Sequence, residues 1–218
     1  MKRGIGITMI SAILAFSSCT KERVSGHGSV TTESRNISGF TNVSTAGSTN
    51  IYVSPGAAFK VEVKGYNNLL PYYETKLVNN TLQLGFKEGV NVKNDNTEVF
   101  VTMPSLNGLS LAGSGNISTN GTFPSVTDFN ARIEGSGNID FSTGSCSNFY
   151  ATIDGSGNIR ALNMVADKAE TNTSGSGNTE ITANTQLKVR IAGSGNVYYR
   201  GTPLITTNIA GSGAVIPR

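Results

Sequence analysis

Between Leu109 and Val215, apolar and polar positions alternate, and the alternation restarts around a recurring four-residue signal. Gly-Ser-Gly-Asn begins at Gly113, Gly135, Gly155, Gly175 and Gly193; a Gly-Ser-Gly-Ala variant begins at Gly211, and an isolated Gly-Ser-Thr-Asn at Gly47. Two residues before each first glycine stand Leu111, Ile133, Ile153, Thr173, Ile191 and Ile209. Four before it stand Leu109, Ala131, Ala151, Thr171, Val189 and Thr207, and four after it Ile117, Ile139, Ile159, Thr179, Val197 and Val215. Polar residues such as Arg132, Thr152, Asn172, Arg190 and Asn208 fill the places between. Period two on both sides of a turn reads as strand, turn, strand, with one buried face.

From Gly113 onward the signals lie 22, 20, 20, 18 and 18 residues apart. A repeat of that length suggests a solenoid, in which each unit cannot bury its apolar face alone. A two-stranded hairpin at each signal, building an antiparallel meander, is the competing geometry. The near-identical flanks favour coils, because turns of a meander alternate between the two sheet edges. In each turn the paired glycines, Gly113 and Gly115, Gly135 and Gly137, Gly155 and Gly157, Gly175 and Gly177, Gly193 and Gly195, supply positive φ and freedom from a Cβ. Asn116, Asn138, Asn158, Asn178 and Asn196 are expected to stack amide on amide. These glycines and asparagines are read as structural turn residues.

The rhythm breaks between Ile51 and Ser110. "FKVEVKG" and "TEVFVTMP" alternate as strands, "NNLLPYYETK" reads as a short helical or turn segment, and "LVNNTLQLGF" as a hairpin about Asn79 and Asn80. Together they predict irregular early coils or a capping sheet, since exposed solenoid ends need covering. The start of the chain reads differently. Lys2 and Arg3 precede an apolar run from Ile5 to Phe16, then Ser17, Ser18 and Cys19. That is the layout of a secretory signal. Cysteine directly after small residues marks it as a lipoprotein signal, although Phe16 stands where leucine is usual. The expected organisation is a signal peptide over 1–18, lipidation at Cys19, a flexible Ser/Thr/Gly-rich tether over 19–36, and one all-β domain over 37–218.

Removing 1–18 takes two of the 17 basic residues, leaving 15 against 14 acidic ones, a net charge of +1. The basic balance of the whole chain is therefore mostly a targeting feature, and no basic cluster remains for nucleic acid. Charged residues make up 14% of the chain, well under the roughly 25% of ordinary domains, so its outer face is uncharged for long stretches. With Cys19 lipidated, Cys146 has no disulfide partner, and with no His near it in sequence it reads as a buried filler.

The stretches "FKVEVKGYNNLLPYYETKLVNNTLQLGF" and "VTMPSLNGLSLAGSGNI", followed by repeated GSGN, resemble the auto-transporter adhesin head GIN domain family of Bacteroidetes-type bacteria. The resemblance runs from about Ile37 to Arg218. It implies a single-stranded right-handed parallel β-helix on an exported protein, and brings no catalytic or binding motif with it.

Candidate chemistry is sparse. Calcium-binding turns need Asp carboxylates, and these turns offer Ser and Asn, so no metal and no cofactor is expected. Glu134 and Asp154 each precede a GSGN and should be stacked neighbours, a possible acid pair but more simply two solvated carboxylates. Asp140, Arg160 and Glu180 share one outward column with alternating sign, a surface ion ladder. Tyr198 points outward, Tyr199 inward with Phe141 and Ile181, and Phe129 and Phe149 align in the core. The reading that follows is a non-catalytic, surface-facing outer-membrane lipoprotein, tied to the membrane through Cys19, that binds a glycan or other cell-surface ligand as an adhesin. The alternative is a polysaccharide-active or glycan-binding accessory protein.

Overall fold

Every pairing between successive repeats is parallel and in register on the turn glycine. Gly113 lies beside Gly135, Gly135 beside Gly155, Gly155 beside Gly175, Gly175 beside Gly193 and Gly193 beside Gly211. Beyond the turn, Asn116 meets Asn138, Asn138 meets Asn158, and Thr179 meets Val197. Parallel pairing excludes the meander. The fold, seen in a computed structural model that describes residues 22–218, is a β-solenoid of about six turns. The signal segment and Cys19 lie outside the described residues.

The inward columns make the core. Leu111, Ile133, Ile153 and Ile191 are buried in one column, and Ile117, Ile139, Ile159 and Val197 in another. Phe129 and Phe149 stack with ring centroids 5.8 Å apart, and Phe141 meets Phe129 edge-on at 5.0 Å. Such pairs contribute about 0.5–1.5 kcal/mol beyond the area they bury. Cys146 is buried and unpaired, and burial pushes its thiol up to about 11, which keeps it unreactive.

The Gly47 signal is not isolated. Asn42–Gly47 pairs with Gly108–Gly113, setting Gly47 beside Gly113, and Asn50–Pro55 pairs with Asn116–Thr119. It is the first coil of the stack, its residues 66 positions from their partners in the second, with an excursion between Pro55 and Gly108. That excursion folds back beneath it: Thr81–Phe86 and Glu98–Met103 add parallel strands under the Gly47 coil. Antiparallel strands then close the end, with Tyr73–Val78 on Thr81–Phe86 and Lys60–Tyr66 on Glu98–Met103. The hairpin turns at Asn79 and Asn80, both with positive φ (47° and 59°), as a two-residue hairpin loop matched to strand twist requires. Leu70–Tyr72 is a single 3-10 turn. The capping sheet is therefore present, as expected.

The tether is not. Val30–Arg35 pairs antiparallel with Lys60–Tyr66, and Glu22–Ser25 pairs with Val90–Lys93. Composition suggested flexibility there, but "VTTESR" alternates weakly and supplies the last edge of the cap. Its pairing satisfies the backbone of Lys60–Tyr66, which would otherwise be an open sheet edge.

Candidate functional site

The turn edge of the solenoid is closed to chemistry by its own hydrogen bonds. In each coil the carbonyl of the first glycine accepts two amides from the next: Ser156 N and Gly157 N both reach Gly135 O, at 2.9 and 3.1 Å. The serines are exposed and the second glycines buried. Behind them runs the expected ladder. Asn178 Nδ2 donates to Asn158 Oδ1 (3.0 Å), Asn158 to Asn138, Asn138 to Asn116, and Asn116 to Asn50 (2.9 Å each). At the other end the pattern changes: Asn178 Oδ1 accepts the backbone amide of Asn196, and Asn196 Oδ1 that of Ala214. The first rung, Asn50, belongs to the Gly47 coil. Its Gly-Ser-Thr-Asn was the sequence signal for it, obscured by the long excursion.

Five outward carboxylates of the coils are ion-paired. Arg132 bridges Glu134 (2.7 Å) and Asp154 (3.1 Å), so the two stacked acids share one guanidinium. Arg160 holds Asp140 at 2.8 Å, as the alternating column predicted, but Glu180 turns to Arg218 at 3.0 Å instead. Glu170 is flanked by Lys188 and Arg190. Partial burial works to raise its pKa, yet hydrogen bonds and charge from those two cations outweigh it and hold the carboxyl below its ordinary value. Among the described residues no group of three or more His, Cys, Asp or Glu could hold a metal ion.

Four tyrosines, among them the Tyr198 and Tyr199 read from sequence, are largely occupied. Tyr73 is buried, facing the Thr45 and Thr49 hydroxyls without a well-formed hydrogen bond to either, and burial pushes its phenol up to about 12. Tyr72 donates to Glu22 at 2.9 Å with Lys87 Nζ over its ring. Tyr199 packs against the core. Tyr198 has the Arg218 guanidinium 4.4 Å from its ring centre, covering one face.

An aromatic pair missed in the sequence lies at the capped end. Tyr52 and Phe100 are register partners on adjacent strands, their rings stacked 5.1 Å apart and 17° from parallel. Phe100 is 37% exposed. Along the same two strands Asn50 pairs with Glu98, and Glu98 is bonded to Lys64 at 3.0 Å and to Tyr52 Oη at 3.4 Å. Beside them opens a groove of about 600 Å³ lined by Ser48, Asn50, Lys64, Asp95, Asn96 and Glu98. A smaller groove of about 220 Å³ runs over Tyr150, Lys168, Glu170 and Lys188.

Parallel coils with a polar outer face, closed at one end by antiparallel strands, define a capped β-solenoid. The chain belongs to the family described as "Putative auto-transporter adhesin, head GIN domain", whose model matches residues 39–203. Solved structures share the fold. A "putative adhesin" from Bacteroides fragilis is 21% identical with a TM-score of 0.74, the match covering 89% of this chain and all of that one. A "putative lipid binding protein" from Parabacteroides distasonis is 22% identical with a TM-score of 0.59, covering 90% of this chain and all of that one. A "putative adhesin" from Parabacteroides merdae is 19% identical with a TM-score of 0.59, covering 90% and 99%. No curated protein matches the chain.

Proposed function

We propose that the chain is an exported lipoprotein, anchored through Cys19 in the outer membrane and facing outward, that adheres to a glycan or other surface ligand through the outer face of the solenoid and catalyses nothing. The observation that carries the non-catalytic reading is the pairing of the stacked carboxylates Glu134 and Asp154 with Arg132. Hydrolysis of a glycosidic bond needs one protonated acid and one free base flanking the substrate. Here the only stacked acid pair among the described residues, Glu134 and Asp154, is tied to one guanidinium, that of Arg132, so neither carboxylate stands free to flank a sugar. The family assignment supports adhesion, and the three matched structures support the scaffold.

Two measurements test it. Labelled palmitate should enter the full chain in cells and fail to enter Cys19→Ala; incorporation that persists in the mutant removes the anchor. Residues 20–218, which hold every described strand, should bind a glycan array or an immobilised host-cell surface without shortening any glycan they bind. Release of shorter oligosaccharides would instead establish the polysaccharide-active alternative.

A further inference from the structure

We infer that the groove at the capped end is a binding site for a neutral saccharide, held between the donor end of the asparagine ladder and the Tyr52–Phe100 platform. The inference rests on the adhesin reading above and narrows it to one place and one ligand class.

The ladder has a direction. From Asn178 to Asn50, four amide-to-amide bonds all run the same way, each nitrogen donating to the next oxygen. Aligned hydrogen bonds polarise one another, so the group at the end of the chain is a better donor than an isolated amide. That end is Asn50. Its Oδ1 is taken by Asn116, and its Nδ2 finds no acceptor among the described residues. Asn50 lines the groove and is half-buried, so its N–H groups are open to an acceptor, which a sugar hydroxyl or ring oxygen supplies in place of water.

Acceptors stand opposite. Glu98 spends one oxygen on Lys64 and the other on a long contact from Tyr52, and an ionised carboxylate has about four lone-pair positions. Asp95 uses one oxygen on the amide of Thr97 at 2.8 Å, leaving the other for a hydroxyl donor. Hydroxyl groups, which both give and take, suit a groove with donors on one wall and acceptors on the next.

The platform completes the site. Phe100 and Tyr52 stand two residues along their strands from Glu98 and Asn50, on the same face and about 7 Å away. That is the scale of one pyranose ring. Tyr52 and Phe100 stack on each other, so the exposed Phe100 ring is the one that offers a surface to the sugar's C–H groups while the edge hydroxyls reach the polar wall. Charge sets the class: Lys64 neutralises Glu98, and Asp95 leaves the groove with one net negative charge, which repels uronic and sialic acids.

The test uses residues 20–218 with cellohexaose, mannohexaose, xylohexaose and chitohexaose as neutral probes and hexagalacturonate as the acidic one, read by calorimetry. At least one neutral probe should bind and hexagalacturonate should not. Phe100→Ala should weaken that binding tenfold or more. Asn50→Asp keeps the oxygen that Asn116 needs and removes only the donor, so it should weaken binding as much with little change in Tm. Tyr150→Ala and Tyr198→Ala should bind as wild type. Binding by none of the neutral probes, preference for the acidic one, or binding indifferent to both Phe100→Ala and Asn50→Asp would overturn the proposal. Loss in Tyr150→Ala or Tyr198→Ala alone would also overturn it, while leaving adhesion through the outer face standing. Only a blank array and a blank cell surface would remove the adhesin reading itself.

Discussion

Both glycines of each Gly-Ser-Gly turn lie hard against the coil beneath, where a Cβ would meet a backbone carbonyl, but only the first also needs a positive φ. Gly155 has φ +136°, a conformation that L side chains rarely adopt. Gly157 has no positive φ; a Cβ on it would overlap the carbonyl oxygen of Gly137 in the coil beneath and crowd the Ile133 side chain. The Gly47 coil supports the distinction. Nothing from a preceding turn lies under it, and there Thr49 occupies the second-glycine place with its Cβ tolerated. Ser156, between the two glycines, is exposed. Gly157→Val should therefore cost about 3 kcal/mol or more, the upper range for forcing atoms into a packed site, while Ser156→Val should stay within about 0.5 kcal/mol. Thermal melts followed by circular dichroism decide it, and equal losses would contradict the stacking argument. Sequence alone showed that both glycines matter, for positive φ and for freedom from a Cβ, but it did not say which glycine needs which. Close approach between coils is a property of the stack, and a single turn read by itself cannot reveal it.

At the scale of one coil, the Gly175 repeat differs from its neighbours at all three inward positions. Thr171, Thr173 and Thr179 stand where adjacent coils carry Ala151 and Val189, Ile153 and Ile191, and Ile159 and Val197. All three are buried, and none of their hydroxyls has a hydrogen-bond partner. A buried unsatisfied hydroxyl costs about 1–3 kcal/mol, and valine has nearly the shape of threonine. Thr179→Val should thus stabilise the protein by about 1 kcal/mol, seen as a higher urea midpoint at unchanged slope. A lower midpoint would mean the hydroxyl is satisfied in solution. The substitutions were visible in the repeat alignment; their isolation from any partner was not. The inward columns and the parallel register could be read directly because the flanks of successive turns align without gaps on the first glycine. The Gly47 coil escaped for the opposite reason, since its partner strand is 66 residues away and local periodicity carries no memory over that distance. The Tyr52–Phe100 pair escaped as well, because the two residues meet only through the pairing of Asn50–Pro55 with Glu98–Met103, which no local periodicity announces.

For the whole molecule, the 66-residue separation of the first two coils sets an order of assembly. Bringing chain ends together costs entropy that grows as about (3/2)RT ln n. Seating the Gly113 coil on the Gly47 coil therefore costs about 1 kcal/mol more than seating a coil 20 residues from its neighbour. The later repeats are local and nucleate one another, as solenoids do, whereas the cap must gather strands from both ends of the excursion. Pulse-labelled hydrogen exchange during refolding should show the amides of Ile153 and Ile159 protected before those of Val43 and Val101. Protection of all four in a single phase would rule the order out. Although the capped end is synthesised first, it is completed last. The groove and its aromatic platform therefore come into being only when the rest of the stack is finished, and a partly folded chain has repeats without a grip.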